Sequence, residues 1–178
     1  LCSVIGDDPK GNEFIELLKG EGMLLDGIIQ SSSRITTTKF RVIGNNSQLL
    51  RVDEETTENL EEIYQEAIQN KVKEIIQVND VDVIIFQDYD KGVINAELIK
   101  FVSKEAKEFD IPVVIDPKKE NFMHYKDVTL FKPNLKEIKD GLNTDFDENN
   151  DADIEINVAK LQDELNADMV LNTLSEKG

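Results

Sequence analysis

Asn134 and Glu137 stand three residues apart at the expected start of a helix, directly after Lys132-Pro133. At that spacing both side chains project from one turn. A carboxylate there can hold the hydration shell of Mg²⁺, which keeps several waters when it binds nucleotide phosphates. The same N-x-x-E is also an N-cap with a capping-box Glu, and read alone the cap is the commoner device. Lys91, Lys118, Lys119 and Lys132 each follow an apolar run, and fixed cations at such points suit phosphoryl oxygens. Other chemistries are absent. No G-x-G-x-x-G or G-x-x-x-x-G-K-[ST] loop occurs, and no Cys/His cluster that would hold zinc. His124 reads as incidental packing or surface, and Cys2 as a buried thiol in a strand.

The elements that must position these groups read as α/β. The 178 residues make one domain or most of one, and the formal net charge is −17. A surface that acidic repels nucleic acid and anionic lipid, so neither is expected as a partner. The longest apolar runs, such as Val83-Ile84-Ile85-Phe86, are far too short to span a bilayer. One cysteine excludes an internal disulfide and suits a reducing compartment, so the cytoplasm is the expected location. The sequence starts without Met and stops soon after an apolar run, and both ends read as cut.

Strands are expected at Cys2 to Gly6, Val81 to Gln87, 113–115, 128–131 and Asp168 to Leu171. Helices are expected at Glu13 to Lys19 with Asn12 as cap, Asn59 to Gln77, Ala96 to Phe109, Leu135 to Leu142 and Ile154 to Leu165. Asp26 to Ser33 reads as a linker, and Asn143 to Asp153 as a solvated acidic loop. Thr36 to Ile43 and Ser47 to Asp53 alternate apolar with polar and flank Gly44-Asn45-Asn46, which marks a hairpin. It is either a flap outside the main sheet or an edge of a mixed sheet.

Ligands of an open parallel sheet sit beyond the carboxyl ends of its strands. Four polar clusters occupy that position. They are Gln87-Asp88-Tyr89-Asp90-Lys91, Asp116-Pro117-Lys118-Lys119, Lys132-Pro133-Asn134 with Glu137, and Thr173-Leu174-Ser175. The bland reading of Asp88 and Asp90 is as caps of the next helix.

The whole chain resembles the ribokinase-like (PfkB) sugar kinases, and among them the kinases of D-glycero-D-manno-heptose 7-phosphate. The resemblance runs through Val4-Ile5-Gly6-Asp7-Asp8, the hairpin, Gln48-Leu49-Leu50-Arg51-Val52-Asp53, Asp88-Tyr89-Asp90-Lys91-Gly92-Val93, Asp116-Pro117-Lys118, Lys132 to Glu137 and Thr173 to Gly178. It implies a three-layer α/β/α core, about 1–30 and 57–178, with a small β lid at about 36–53, in an incomplete domain. It implies ATP and Mg²⁺ as cofactors. Asn134, Leu135, Lys136, Glu137, Thr173 and Ser175 would meet the nucleotide, and Glu137 would meet the metal through water. Lys39, Arg51, Asp88, Lys91, Asp116 and Lys118 would meet a sugar phosphate. Ser175 replaces the first Gly of the family's T-x-G-x-x-G stretch. The family's catalytic Asp belongs to a G-A-G-D motif expected beyond Gly178, so no catalytic base is assigned and the 178 residues alone are not expected to turn over. A lid of this kind often pairs two copies. The competing readings are another sugar or nucleoside kinase, and a non-catalytic α/β domain with an acidic pocket of Asp7, Asp8 and Asp53.

Overall fold

The computed structural model describes residues 1–174. They gather into two compact units, Leu1–Gln77 with Lys91–Val93, and Val78–Asp90 with the residues from Ile94 onward.

In the first unit, strand β1 (Cys2–Gly6) pairs in parallel with β2 (Gly27–Ser31), with Val4 opposite Ile29. Helix α1 (Pro9–Gly20) connects them. Two expectations change here. The linker over Asp26 to Ser33 contains a strand, whose apolar signal was only Ile28-Ile29. Gly27 lets it close on β1, because a Cβ there would sit 2.5 Å from the Leu1 carbonyl oxygen. Helix α1 also begins earlier than Asn12. Asp8, in extended backbone, accepts from Gly11 N at 2.7 Å, and Pro9 fills the first turn. Proline suits that turn because its missing N–H would be unpaired there anyway. Cys2 is exposed rather than buried, since burial along β1 is complete only from Val4.

Strands β3 (Thr38–Gly44) and β4 (Ser47–Glu54) form an antiparallel sheet of their own. Asn45 and Asn46 both have positive φ, 50° and 58°, as a tight hairpin turn requires. The reading as an edge of the main sheet is therefore set aside. Phe40 faces Val52 and Val42 faces Leu50, and all four are exposed. Helix α2 (Glu62–Val78) begins later than the expected Asn59.

The second unit is a four-stranded parallel sheet in the order β5 (Ile84–Gln87), β6 (Val113–Asp116), β7 (Leu130–Phe131) and β8 (Met169–Val170). Helix α3 (Ala96–Glu108) links β5 to β6. Helices α4 (Leu135–Leu142) and α5 (Asp151–Leu165) link β7 to β8. The strands are shorter than the apolar runs that announced them. Val128, counted with the strand, is buried in the turn before β7. Asn95, not Asp88 or Asp90, caps α3 by accepting from Leu98 N at 2.9 Å. Asn150 caps α5, which therefore takes in Asp151, Ala152 and Asp153 from the expected acidic loop. In the rest of that loop, Asp145 and Glu148 pair with Lys139. Ile115, Phe131, Phe122, Tyr125, Ile138, Leu161 and Leu165 form the core. Phe122 meets Phe131 edge to face, with ring centroids 5.0 Å apart, a favoured aromatic geometry. Among the described residues no helix is long and apolar enough to cross a membrane.

Candidate functional site

Because β5 to β8 are parallel, their carboxyl ends share one rim of the second unit. Four short polar segments meet there. Asp88 N donates to Asp116 O at 3.1 Å, Lys132 N to Ile115 O at 2.9 Å and Thr173 N to Pro133 O at 3.1 Å. Asn134 and Thr173 form a parallel bridge. Each strand thus hands its neighbour's register on to the turn that follows it. Pro117 and Pro133 are buried within those turns, and each stops the ladder by lacking an N–H.

The side chains along the rim join into two linked sets. Asp116 accepts from Gln87 Nε2 at 2.6 Å and pairs with Lys132 Nζ at 3.0 Å. Burial pushes the Asp116 carboxyl up, but the hydrogen bonds from Lys132 and Gln87 outweigh it and leave the group below the usual carboxylate range. Lys118 Nζ donates to Glu137 Oε1 at 2.6 Å. Glu137 Oε2 accepts from Asn134 N at 2.9 Å, and Asn134 Oδ1 accepts from Glu137 N at 2.9 Å. The capping box is thus present in full, and its Glu also carries a lysine from the neighbouring strand end. Sequence alone gave the cap; Lys118 as its third member came from the topology. The bond from Glu137 holds the Lys118 ammonium above its ordinary value.

Asp116, Lys118, Asn134, Glu137 and Thr173 therefore come together on one rim, with Leu135 and Lys136 on the first turn of α4 beside them. Ser175 lies outside the described residues. Asp88 lies below the rim instead of on it. It is 1% exposed, and its carboxylate accepts from Asp90 N, Asn121 Nδ2 and Tyr125 Oη at 2.9, 2.9 and 2.8 Å. A carboxylate so enclosed holds the turn, and its side chain is not presented at the rim where a substrate contact was expected of it. The turn it holds puts Asp90 in the left-handed region at φ 52°. Burial, and next the nearby Asp88 charge, push the Asp90 carboxyl up. Sequence reasoning missed the buried trio of Asp88, Asn121 and Tyr125, because its partners are more than thirty positions apart and share no spacing. It also missed Asn172, whose side-chain nitrogen and oxygen are enclosed without a partner among the described residues.

The remaining predicted residues belong to the first unit and form a cluster of their own. Lys39 pairs with Glu55 at 2.9 Å and Asp53 at 3.4 Å, Lys91 with Glu55 at 2.8 Å, and Arg51 with Asp53 at 2.7 Å. Asp53 is held low, chiefly by the Arg51 hydrogen bond, and Glu55 chiefly by Lys91. Lys91 is placed by the backbone. Arg34 donates to the carbonyls of Glu58 and Lys91, and Leu60 N donates to Gly92 O at 3.2 Å. Asp8 accepts from the amides of Gly11 and Thr36, and Asp53 from Arg51 and Lys39.

Among the described residues no group of three or more His, Cys, Asp or Glu could hold a metal unaided. The rim still fits a hydrated Mg²⁺ that arrives with phosphates. Glu137 keeps carboxylate lone pairs beyond the two in use, and Lys118 and Lys132 stand on the same rim, paired with Glu137 and Asp116.

A family model described as pfkB family carbohydrate kinase matches residues 1–178. The bifunctional protein HldE of Helicobacter pylori J99 is 33% identical over 178 residues, which are 100% of this chain and 38% of that protein. HldE of Wolinella succinogenes is 32% identical over 177 residues, 99% of this chain and 36% of its own. The chain thus spans well under half the length of these relatives. Phosphofructokinase-2 from Escherichia coli, solved with fructose-6-phosphate, superposes with a TM-score of 0.75 at 16% identity, covering 98% of this chain and 56% of that one. Ribokinase from Giardia lamblia gives 0.71 at 16%, covering 99% and 53%. Both likenesses concern the fold.

Proposed function

Since this chain belongs to the pfkB family of carbohydrate kinases, we propose that its parent protein transfers the γ-phosphoryl group of ATP to O1 of D-glycero-D-manno-heptose 7-phosphate. The products are ADP and the 1,7-bisphosphate. The O1 proton goes to a base that, on this reading, lies outside residues 1–178. The observation that carries the proposal is the rim itself, where Lys118, Asn134 and Glu137 from two different strand ends are joined by hydrogen bonds of 2.6 to 2.9 Å.

Phosphoryl transfer depends on positioning and charge stabilisation more than on covalent chemistry. Asn134, Leu135, Lys136, Glu137 and Thr173 are assigned to the nucleotide side, together with Ser175. Glu137 would hold a hydrated Mg²⁺ through the ion's waters, and such an ion when bound would supply neutralising charge to the phosphates. Lys118 and Asp116 are assigned to the boundary with the sugar phosphate. Lys39, Arg51 and Lys91 are assigned to the substrate phosphate. Their present partners, Asp53 and Glu55, are carboxylates, and a phosphate competes for the same donors with more oxygens. Arg51 can bind it bidentately.

The heptose phosphate is chosen over other sugars on the segments QLLRVD, DYDKGV and DPK, which resemble the heptose kinases. The exposed apolar face of the hairpin, Phe40, Val42, Leu50 and Val52, is assigned to a second copy of the protein, and the expected location is the cytoplasm. ADP release by the full-length gene product, measured with the heptose 7-phosphate, ribose and fructose 6-phosphate in parallel, tests the substrate. Turnover with the heptose phosphate alone agrees with the proposal. Turnover with ribose or fructose 6-phosphate but not the heptose phosphate refutes the substrate while leaving the family intact.

A further inference from the structure

The two faces of the β3–β4 hairpin differ in charge. Thr38, Phe40 and Val42 stand opposite Glu54, Val52 and Leu50. One position over, Lys39 stands opposite Asp53, and Arg41 opposite Arg51. Successive residues of a strand point to alternate faces, so this second set shares the other face. The bonds agree. Lys39 Nζ reaches Asp53 Oδ2 at 3.4 Å, and Arg51 Nε and Nη2 reach Asp53 at 2.8 and 2.7 Å.

Arg41 is the odd member. It is exposed and bonds to no carboxylate, carbonyl or ring among the described residues. A chain with 37 acidic residues against 20 basic ones offers partners in plenty, yet the residue directly across from Arg41 is another arginine. Opposed side chains on one face of an antiparallel pair stand about 4.5–5.5 Å apart at Cβ, and like charges there destabilise the pair. A solvated arginine accounts for the exposure, not for the opposition. An anion held between the two guanidinium groups relieves it.

The charge of the surrounding cluster has the same sense. Lys39, Arg41, Arg51 and Lys91 are four cations and Asp53 and Glu55 two anions, which leaves a surplus of two positive charges. Glu54 lies on the opposite face, where it accepts from Thr38 Oγ1 at 3.4 Å. A phosphomonoester carries about −1.5 to −2 charge near neutral pH, close to that surplus. The donors suffice as well. A guanidinium offers five N–H donors in a planar fork. Arg51 spends only Nε and Nη2 bonds on Asp53, and Arg41 spends none among the described residues.

We propose that Arg41 is a specificity-determining residue that forms, with Arg51, a two-arginine clamp on the phosphate the sugar already carries before transfer. The clamp rests on the assignment of this cluster to substrate phosphate, and adds to it a residue that the assignment leaves out. It recognises a phosphomonoester dianion and leaves the sugar ring to other groups. It selects phosphorylated over unphosphorylated sugars.

The test is steady-state kinetics of the full-length protein with heptose 7-phosphate, fructose 6-phosphate and ribose, for wild type, Arg41→Gln and Arg41→Lys. Arg41→Gln is expected to raise the KM for the sugar phosphate by about tenfold or more, with a smaller fall in kcat and the KM for Mg·ATP unmoved. Arg41→Lys keeps the charge without the fork and falls between the two. Thermal unfolding separates a merely structural role. Without ligand, Arg41→Gln is expected to melt no lower than wild type, because it removes a like-charge opposition. The rise in melting temperature that the sugar phosphate produces is expected to shrink. An unchanged KM for the sugar phosphate overturns the clamp, and so does a loss shared equally by both substrates. If that KM is unchanged while the wild type turns over heptose 7-phosphate, the clamp fails and the substrate reading stands. Turnover of fructose 6-phosphate in its place, with the KM raised in Arg41→Gln, refutes that reading and leaves the clamp standing. Turnover of ribose alone overturns both.

Discussion

Lys118 Nζ lies 2.6 Å from Glu137 Oε1, and this contact ties the end of β6 to the first turn of α4. Glu137→Ala removes both the ion pair and half of a capping box, so it is expected to destabilise by about 1–2 kcal/mol in urea unfolding. Glu137→Gln keeps an oxygen for Asn134 N and loses only the partly exposed charge pair, at less than about 1 kcal/mol. The Lys118 pKa is raised in the folded state. Its contribution is therefore complete below the unfolded value of about 10.4 and disappears as pH rises through the higher folded value. The stability gap between wild type and Lys118→Met closes in that alkaline window, and a gap that stayed constant there would count against the pair.

Tyr125 donates to the buried Asp88 carboxylate at 2.8 Å. Tyr125→Phe leaves that carboxylate one donor short and is expected to cost about 1–3 kcal/mol. Burial, then the Asp88 charge, push the phenol well above its ordinary range. Of the three tyrosines, Tyr125 should therefore stay protonated in an alkaline absorbance titration until the protein unfolds. Ionisation of all three in the folded protein would contradict the network.

Asp8 binds two backbone amides with two oxygens, Gly11 N at 2.7 Å and Thr36 N at 2.8 Å. The Gly11 bond is the largest cause of its lowered pKa. A lowered folded pKa gives stability that is present above the unfolded value, about 3.9, and is lost as pH falls through the folded one. Asp8→Ala should cost about 1–2 kcal/mol near neutrality. The difference from wild type should vanish in acid. Thermal unfolding of both proteins across that range checks it.

Gly92 has φ +71°, and a Cβ there would stand 1.8 Å from the Glu58 carbonyl oxygen. The left-handed backbone alone disfavours Ala by about 1–2 kcal/mol, and the overlap adds to it. Gly92→Ala should therefore lower the urea midpoint by more than a matched Ala substitution at the exposed Gly20, where no atom lies within 4 Å.

Much of this was legible in the residues. The runs VDVIIFQ and IPVVID mark the strands, Asn134 with Glu137 marks the cap, and Gly44-Asn45-Asn46 marks the hairpin turn. What stayed hidden depends on partners distant in sequence. Strand β2 shows only Ile28 and Ile29, because its edges are set by Gly27 closing on Cys2. Asp88 follows a strand as ligand-binding residues do, yet Asn121 and Tyr125 draw it inward. Lys118 reaches Glu137 only because β6 and β7 are neighbours, which no local pattern states.

The most direct test of the rim as a nucleotide phosphate site is calorimetric titration of the full-length protein with Mg·ATP, wild type against Glu137→Gln. The predicted result is a Kd at least about tenfold weaker, some 1.4 kcal/mol, with the fold intact by circular dichroism. An unchanged Kd in a folded variant would contradict it.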